Sequence, residues 1–352
     1  MTPSSGSQSD RLILAAVDIG GTKVTASLSD RNGILGKVLQ PTVKTGENTA
    51  LPGQVDSMID AVCGRAAVAR EDIAALGIST CSPFERRDGQ LVLVSPNICG
   101  GLAPNGRRLP NDWTEIPLEA ELAPRYRRVA IDNDCITAAT AERLFGAGKG
   151  EDNLLYVTWS TGIGAGAYVD GHLLLGKNRN ALHLGHTYMN RDDTGQPLCG
   201  CGNFSHLEAY AAGPAIARQY AAAGGATATT AEVFELCRRG EAEARRIVEQ
   251  AARIFARGLA NAVALLDSRL IILGGSVAND WDVVDPLVRE EFYRAFPPLT
   301  QEVEIRPSAL ERYLGDIAAL SLVMPRGWIA DWQKTQPWRD APEAVRMEGK
   351  AL

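Results

Sequence analysis

Two cysteines and two histidines stand close together in a chain that has only four histidines. His186 lies 13 residues before Cys199, and His206 follows Cys201 by five residues. Two thiolates and two imidazoles make a tetrahedral donor set for zinc, and a closed set of four protein ligands is typical of a structural rather than a catalytic site. A lone Cys-x-Cys pair is weak evidence, but both histidines at these distances favour zinc.

Glycine-rich turns follow apolar strand patterns at three places in the chain. Residues without a Cβ let backbone N–H groups approach anionic oxygens, and threonine hydroxyls add donors, so such turns suit phosphate binding. Either of the first two turns, taken alone, is equally compatible with a tight hairpin. Asp18, at the mouth of the first turn, is a candidate Mg²⁺ partner. The three turns together indicate a nucleotide held between two domains. Their residues are Gly20, Gly21, Thr22 and Lys23 in the first, Thr161, Gly162 and Gly164 in the second, and Gly274 and Gly275 in the third.

Acidic and amide side chains follow a further strand pattern at residues 128–131. These are Asp132, Asn133 and Asp134, which precede a helical pattern at 138–145. Each of them is a candidate helix cap. A carboxylate at the C-terminal end of a strand in an α/β fold also lies where ligands bind, and it could take the proton of an attacking hydroxyl.

The first two turns lie in the same local pattern, which predicts a duplicated architecture. Residues 17–33 and 157–171 each have the pattern of a strand, a polar Gly/Thr turn, a second strand and a further turn, at an offset of about 140 residues. A repeat at that distance indicates domain duplication, because solenoid repeats recur every ~20 to 50 residues. Strand patterns alternate with helical patterns, which predicts an α/β chain. Further strands are predicted at 75–79, 128–131 and 270–273, and helices at 53–70, 241–266 and 314–323.

The 352 residues are enough for two domains, each with its own core. We expect a disordered leader at 1–10, an N-terminal α/β domain at 11–134 to which a helix near 314–324 returns, a C-terminal α/β domain at 135–313 with a zinc loop at 183–208, and a tail at 325–352. The tail holds three of the six tryptophans, and the sequence leaves open whether it is a docking segment or a partly ordered extension.

Composition excludes several classes of protein. Apolar residues make up 45% and charged residues 22% of the chain, which is ordinary globular composition. The net charge of −6 and the lack of a Lys/Arg block argue against nucleic acid as the main partner. The N-terminus has no basic region, and the apolar run that follows is too short for a signal or a membrane span. Five of the seven cysteines are scattered singly, as in reduced proteins, so we expect a cytoplasmic chain without a membrane partner.

These motifs resemble the ROK family of repressors, open reading frames and sugar kinases, over about residues 12–323. The resemblance implies a duplicated actin-like (ribonuclease H-like) two-domain fold with an interdomain cleft, in which ATP phosphorylates the primary hydroxyl of a hexose or a hexose-like cyclic polyol. It also implies Mg²⁺, a structural Zn²⁺ and a homodimer. The motifs that carry it are Asp18–Lys23, Asn133-Asp134 with Glu142 and the following Phe-Gly-Ala-Gly, Ser160–Gly166, Gly185-His186, Cys199–Gly202 with Leu207–Tyr210, and Leu273–Ser276.

Roles follow from the resemblance residue by residue. Asp134 matches the catalytic base and Asn133 a neighbouring sugar contact. The first two turns match the two phosphate loops, and Gly274 with Gly275 matches the adenosine motif. His186 and Glu208 match positions that contact the sugar, and His186 is also a zinc ligand together with Cys199, Cys201 and His206.

The chain departs from the family pattern at three positions, of which the third bears on the substrate. His206 stands where the family usually has a third zinc cysteine, an exchange that leaves a tetrahedral set intact. The second loop begins with Ser160 instead of glycine. His183 replaces a glutamate that binds sugar hydroxyls, so the ring bound there is expected to lack the hydroxyl pattern of glucose, unless the imidazole simply replaces one hydrogen bond with another, or His183 faces away and packs beside the zinc loop.

Two alternatives to a hexose kinase follow. One is a C7-cyclitol kinase of the valienone or valiolone type, suggested by His183 and by the irregular stretch at 99–111. The other is a sugar-responsive regulator without kinase activity. Family repressors carry a helix-turn-helix domain before the first loop, whereas only residues 1–11 precede the strand here, so we expect a kinase.

Overall fold

The computed structural model describes residues 12–100, 113–190 and 197–347. Within these ranges the chain forms two compact units. Unit 1 contains residues 12–100, 113–137 and 312–347, and unit 2 contains residues 138–190 and 197–311. The expected leader at 1–10 and most of the irregular stretch at 99–111 lie outside the described residues.

The described residues form thirteen strands and eleven α-helices. The strands are β1 Ile13–Ile19, β2 Lys23–Asp30, β3 Gly33–Pro41, β4 Ile73–Thr80, β5 Phe84–Arg87, β6 Gln90–Leu93, β7 Val129–Asn133, β8 Leu154–Trp159, β9 Ile163–Val169, β10 His172–Leu173, β11 Leu270–Gly274, β12 Glu304–Pro307 and β13 Val345–Arg346. The helices are α1 Ala50–Ala66, α2 Leu118–Leu122, α3 Asp134–Phe145, α4 Leu207–Ala211, α5 Gly213–Ala222, α6 Thr230–Arg238, α7 Ala242–Leu266, α8 Trp281–Ala295, α9 Pro297–Thr300, α10 Leu314–Ser321 and α11 Arg326–Thr335.

Unit 1 is built on a six-stranded sheet in the order β13-β3-β2-β1-β4-β7. β1 pairs antiparallel with β2 and parallel with β4, and both of its faces are buried. The apolar face of α1 packs on β2 and β3, and α10 packs on β1 and β4. Gly77 of β4 permits this close approach, because a Cβ there would lie 2.1 Å from the carbonyl oxygen of Ala319 in α10.

Unit 2 repeats the strand arrangement of unit 1. Its sheet has the order β10-β9-β8-β11-β12, with β8 antiparallel to β9 and parallel to β11, as β1 is to β2 and β4. The long amphipathic helix α7 lies in the core, where the ring of Phe255 stacks on Trp159 with centroids 3.8 Å apart. The predicted α/β class and the duplication are therefore confirmed.

Several elements differ from their predicted bounds. α3 begins at Asp134 instead of near residue 138, and β7 continues to Asn133, so these two residues stand at a strand-to-helix junction. The pattern analysis did not predict β3 or the β5–β6 hairpin. The described part of the tail belongs to unit 1: Trp332 is fully buried and its Nε1 donates to the carbonyl of Arg31 at 2.8 Å, while β13 pairs parallel with β3.

No helix among the described residues is long and apolar enough to cross a membrane.

Candidate active site and metal centre

Asp134 lies at the first position of α3, directly after the buried strand β7. Its Oδ1 accepts hydrogen bonds from Nδ2 of Asn133 at 2.9 Å and from the backbone N–H of Cys135 at 2.8 Å. Burial raises the pKa of Asp134, while the hydrogen bonds from Cys135 and Asn133 lower it. A carboxylate at the N-terminus of a helix also interacts favourably with the helix dipole. The site thus holds a half-buried carboxylate whose basicity is increased by desolvation.

The junction around Asp134 is fixed by hydrogen bonds to its neighbours. Thr137 donates from Oγ1 to the carbonyl of Asp134 at 2.9 Å, and its hydroxyl also lies 2.9 Å from that of Ser79 on β4. The backbone N–H of Asn133 donates to Oδ1 of Asp132 at 3.0 Å. Asp132 is 1% exposed, whereas Asp134 is half-buried, so Asp134 is the carboxylate that a substrate hydroxyl can reach.

Asp18 stands at the end of β1, where the first glycine turn begins. Burial, followed by the charges of Asp134 and Asp316, raises the pKa of Asp18 to about 7, although Lys23 and the hydrogen bond from Ser79 act in the opposite direction. A buried carboxylate among other carboxylates is stabilised by a divalent cation. Asp18 is thus a candidate ligand of Mg²⁺.

The first turn is tightly closed. The N–H of Gly20 donates to the carbonyl of Lys23 at 2.9 Å, and Oγ1 of Thr42 donates to the carbonyl of Gly20 at 2.7 Å. A Cβ on Gly21 would lie 3.2 Å from the Cβ of Asn97, so a larger residue would crowd this loop. Thr22 and Lys23 are exposed.

The second and third turns lie together in unit 2, because β8 and β11 are neighbours and Thr158 pairs with Gly274. The hydroxyl of Ser160 lies 2.9 Å from that of Ser276, which joins the two turns directly. Gly275 has a φ of +94°, and a Cβ there would lie 2.5 Å from the carbonyl oxygen of Trp159. Glycine is therefore required at this position.

Four candidate metal ligands converge in unit 2. The ligand atoms of His186, Cys199, Cys201 and His206 all lie within 4.8 Å of one another. Sγ of Cys199 is 3.6 Å from Nδ1 of His186, and Sγ of Cys201 is 3.3 Å from Nδ1 of His206. A tetrahedral zinc ion with ordinary Zn–N and Zn–S bonds places N and S ligands about 3.5 Å apart, so the donor set fits zinc.

Glu208, on α4, lies beside this cluster. Its Oε1 accepts a hydrogen bond from the Cys199 thiol at 2.9 Å, and burial followed by the charge of Glu208 raises the pKa of that thiol. A Cβ on Gly162 would lie 3.1 Å from Oε2 of Glu208, and a Cβ on Gly185 would lie 3.2 Å from the same oxygen. Gly162 leaves room for the carboxylate, whereas the nearest atom to a Cβ on Gly185 is the carbonyl oxygen of Ile163 at 2.2 Å. Glu208 therefore lies between the candidate zinc ligand Cys199 and the second turn.

His183 lies three residues before His186, and their rings are stacked with centroids 5.6 Å apart. Burial lowers the pKa of His183, and the neighbouring His186 lowers it further, so the neutral imidazole is favoured. A neutral imidazole offers one donor and one acceptor, whereas the carboxylate usual at this family position only accepts.

Sequence patterns did not identify the buried ion pair between Lys37 on β3 and Asp316 on α10. α10 also brings Gly315 against Asp18, since a Cβ there would lie 2.8 Å from Oδ2 of Asp18. The only local signal is one carboxylate within the otherwise apolar helix 314–321. Its partner lies 279 residues away in sequence, so no spacing rule connects the two.

Comparison with known proteins places the chain in a family of kinases and related proteins. The model of the ROK family matches residues 14–324. The chain is 28% identical over 334 residues to a glucokinase of Thermotoga maritima, covering 90% of this chain and 98% of the relative. It is 33% identical over 272 residues to an N-acetylmannosamine kinase of Shigella flexneri, covering 76% of this chain and 84% of the relative.

A solved structure agrees with this assignment. A ROK family glucokinase from Streptomyces griseus, in complex with glucose and AMPPNP, superimposes with a TM-score of 0.65 at 27% identity, covering 87% of this chain and 97% of that one. The chain therefore belongs to the ROK family, and its fold is that of the actin-like sugar kinases.

Proposed function

We propose that the protein is an ATP-dependent sugar kinase in which Asp134 is the general base. The observation that carries this proposal is the half-buried carboxylate at the junction of β7 and α3, with Oδ1 already bound by two donors. Membership of a family whose similar members are named glucokinases and N-acetylmannosamine kinases supports the same function.

In the reaction, the primary hydroxyl oxygen of the sugar attacks the γ-phosphorus of ATP. A new O–P bond forms, the bond between the γ-phosphorus and the β,γ-bridging oxygen breaks, and ADP leaves. The hydroxyl proton passes to Oδ2 of Asp134, because Oδ1 already accepts hydrogen bonds from Asn133 and Cys135. Phosphoryl transfer depends on positioning the reacting groups and on stabilising the phosphate charge. Rigid turns at the ends of adjacent strands can provide both.

The glycine turns are proposed to bind the nucleotide. Gly20, Gly21, Thr22 and Lys23 contribute backbone and side-chain donors in unit 1. Thr161, Gly162, Gly164, Gly274 and Gly275 contribute them in unit 2. Asp18 is the candidate ligand of Mg²⁺, which, when bound, neutralises phosphate charge. His186, Cys199, Cys201 and His206 would hold a structural zinc ion that orders the loop leading to Glu208.

The sugar is proposed to contact His183, His186 and Glu208. Glu208 keeps the carboxylate that the family uses to bind sugar hydroxyls, whereas His183 stands where the family has a second such carboxylate. A hexose or modified hexose is the first candidate acceptor, as for the relatives. The histidine at position 183 favours, as a second candidate, a C7-cyclitol with a primary hydroxyl but a different pattern of ring hydroxyls.

A substrate panel tests the proposal. ADP formation is measured with glucose, mannose, their N-acetyl derivatives, fructose, allose and valienone-type cyclitols. The proposal predicts a clear preference for at least one acceptor with a primary hydroxyl. ATP turnover with none of them would support a regulator without kinase activity.

A homodimer is part of the proposal, on the strength of the resemblance alone. Light scattering coupled to gel filtration should give a mass of twice that of the 37.7 kDa chain, and the mass of a single chain would refute a dimer.

A further inference from the structure

A buried ion pair joins β3 to α10 in unit 1. The side chains of Lys37 and Asp316, which form it, are only 14% and 6% exposed. Because the removal of two charges from water is costly, a buried ion pair often stabilises a protein no more than apolar residues of similar size. Stability alone therefore does not account for these two charges, and their position indicates a further role.

The ion pair lies beside the end of β1, where Asp18 is the candidate Mg²⁺ ligand. α10 packs on β1 and β4, and Gly315, the residue before Asp316, lies against the Asp18 carboxylate, since a Cβ on Gly315 would be 2.8 Å from Oδ2 of Asp18. The negative charge of Asp316 acts on Asp18 at this close approach, and the positive charge of Lys23 acts on both carboxylates. Lys37 pairs directly with Asp316, so it offsets the charge that Asp316 brings to this place.

We propose that Lys37 and Asp316 are positioning residues that act through Asp18 and set the charge balance in which Asp18 meets a divalent cation and the phosphates of the nucleotide. Asp316 anchors the first turn of α10, with Gly315, against Asp18, and Lys37 cancels the charge of this anchor. The pair thus holds α10 in place without adding net charge beside Asp18. This inference rests on the proposed function of Asp18 toward Mg²⁺.

The effect of Mg²⁺ on ADP binding gives the direction of the expected changes. The ratio of the ADP dissociation constant without Mg²⁺ to that with Mg²⁺ measures how strongly the protein favours the cation beside the nucleotide. A negative charge left near Asp18 attracts the cation and repels the phosphates, and both effects raise this ratio. A positive charge left there lowers the ratio for the same two reasons.

The test measures this ratio by calorimetry at pH 8 in Lys37→Met, in Asp316→Asn and in the double variant. Lys37→Met leaves the charge of Asp316 and is expected to raise the ratio about 3- to 30-fold, whereas Asp316→Asn leaves the charge of Lys37 and is expected to lower it by a similar factor. The double variant removes both charges and should return the ratio to within about twofold of the wild type.

The matched control is the ion pair between Arg31 and Asp331, which lies at the surface of the same unit with both side chains exposed. Arg31→Met and Asp331→Asn make the same changes of charge there. Both control variants should leave the ratio unchanged, because solvent and salt screen exposed charges.

A purely structural role of the ion pair would move the ratio in the same direction in both single variants. Opposite shifts that cancel in the double variant therefore support the inference, and every other pattern overturns it. If one single variant does not fold, the other is compared with the double variant: a ratio restored in the double variant supports the inference, and a ratio that is not restored overturns it.

Asp18→Asn separates failure of this inference from failure of the proposed function. If Asp18→Asn lowers the ratio strongly while the Lys37 and Asp316 variants leave it unmoved, only the positioning role is rejected. If Asp18→Asn leaves the ratio unchanged, Asp18 is not the Mg²⁺ ligand.

Discussion

The carboxylate of Glu208 lies in direct contact with the thiol of Cys199, with Oε1 2.9 Å from Sγ. Glu208 is the proposed sugar-binding carboxylate of unit 2, and Cys199 is a proposed zinc ligand. The same carboxylate lies against Gly162, because a Cβ there would be 3.1 Å from Oε2 of Glu208. One side chain therefore connects the metal cluster, the second glycine turn and the proposed sugar contacts, so a change in the cluster should reach the others through Glu208.

Zinc is predicted at His186, Cys199, Cys201 and His206. Metal analysis of the purified protein should give about one zinc per chain. Cys201→Ala should lose the metal together with thermal stability, because the binding energy of a structural zinc contributes to folding. Cys237→Ala, at a partly buried thiol of α6 in the same unit, is the matched control and should keep the metal. Metal-free protein with full activity and an unchanged Tm would refute the zinc site.

The stability of the protein is predicted to fall as pH rises through the window set by Asp18. The carboxyl titrates at its ordinary pKa of 3.8 when unfolded and at about 7 when folded. Between these values the folded state binds more protons than the unfolded state, so the free energy of unfolding decreases from about pH 4 to about pH 7 and stays lower above it.

Asp18→Asn removes this charge and should therefore be more stable than the wild type at pH 8, by roughly 1 to 4 kcal/mol, without Mg²⁺ or nucleotide. The advantage should disappear near pH 4. Denaturant unfolding at both pH values measures the difference. Asp170→Asn, at an exposed turn, is the control and should have no such effect. An Asp18→Asn protein less stable than the wild type at pH 8 would contradict the assignment.

His183 is predicted to set the preference of the enzyme among acceptors. Glucose bound beside an imidazole instead of a carboxylate leaves hydroxyl groups imperfectly paired, at a cost of about 1 to 3 kcal/mol, or roughly 5- to 150-fold in relative kcat/KM. His183→Glu should raise glucose phosphorylation relative to that of the best acceptor. A wild-type kcat/KM for glucose of about 10⁴ M⁻¹s⁻¹ or better would refute the specialised substrate. If His183 faces away from the substrate, the His183→Glu change alters kcat/KM for glucose and for the best acceptor together, or alters neither.

The features of this molecule that can be predicted from its sequence are those set by residues close together in the chain. The glycine turns, the Asn133-Asp134 pair and the His/Cys spacing are short motifs, and the α/β class follows from alternating strand and helix patterns. The pairing of β13 with β3 and the Lys37–Asp316 ion pair depend on residues about 300 positions apart, where no local pattern applies.

The engagement of Asn133 also requires coordinates. The sequence marks this residue as polar and next to the base, but its hydrogen bonds with Ser82, Asp134, Cys135 and Ile136 depend on the folded structure. The buried junction between β7 and α3 is created by the fold, since pattern analysis places the helix start four residues later.

The turnover number of the Asp134→Asn variant tests most directly whether Asp134 is the general base. Removal of a general base typically lowers the rate by about 10² to 10⁴, or roughly 3 to 5 kcal/mol of barrier. We expect a loss of this size in kcat with the best acceptor, while calorimetry finds ATP binding nearly unchanged. If the Asp134→Asn enzyme keeps more than half of the wild-type rate, Asp134 does not accept the proton of the sugar hydroxyl.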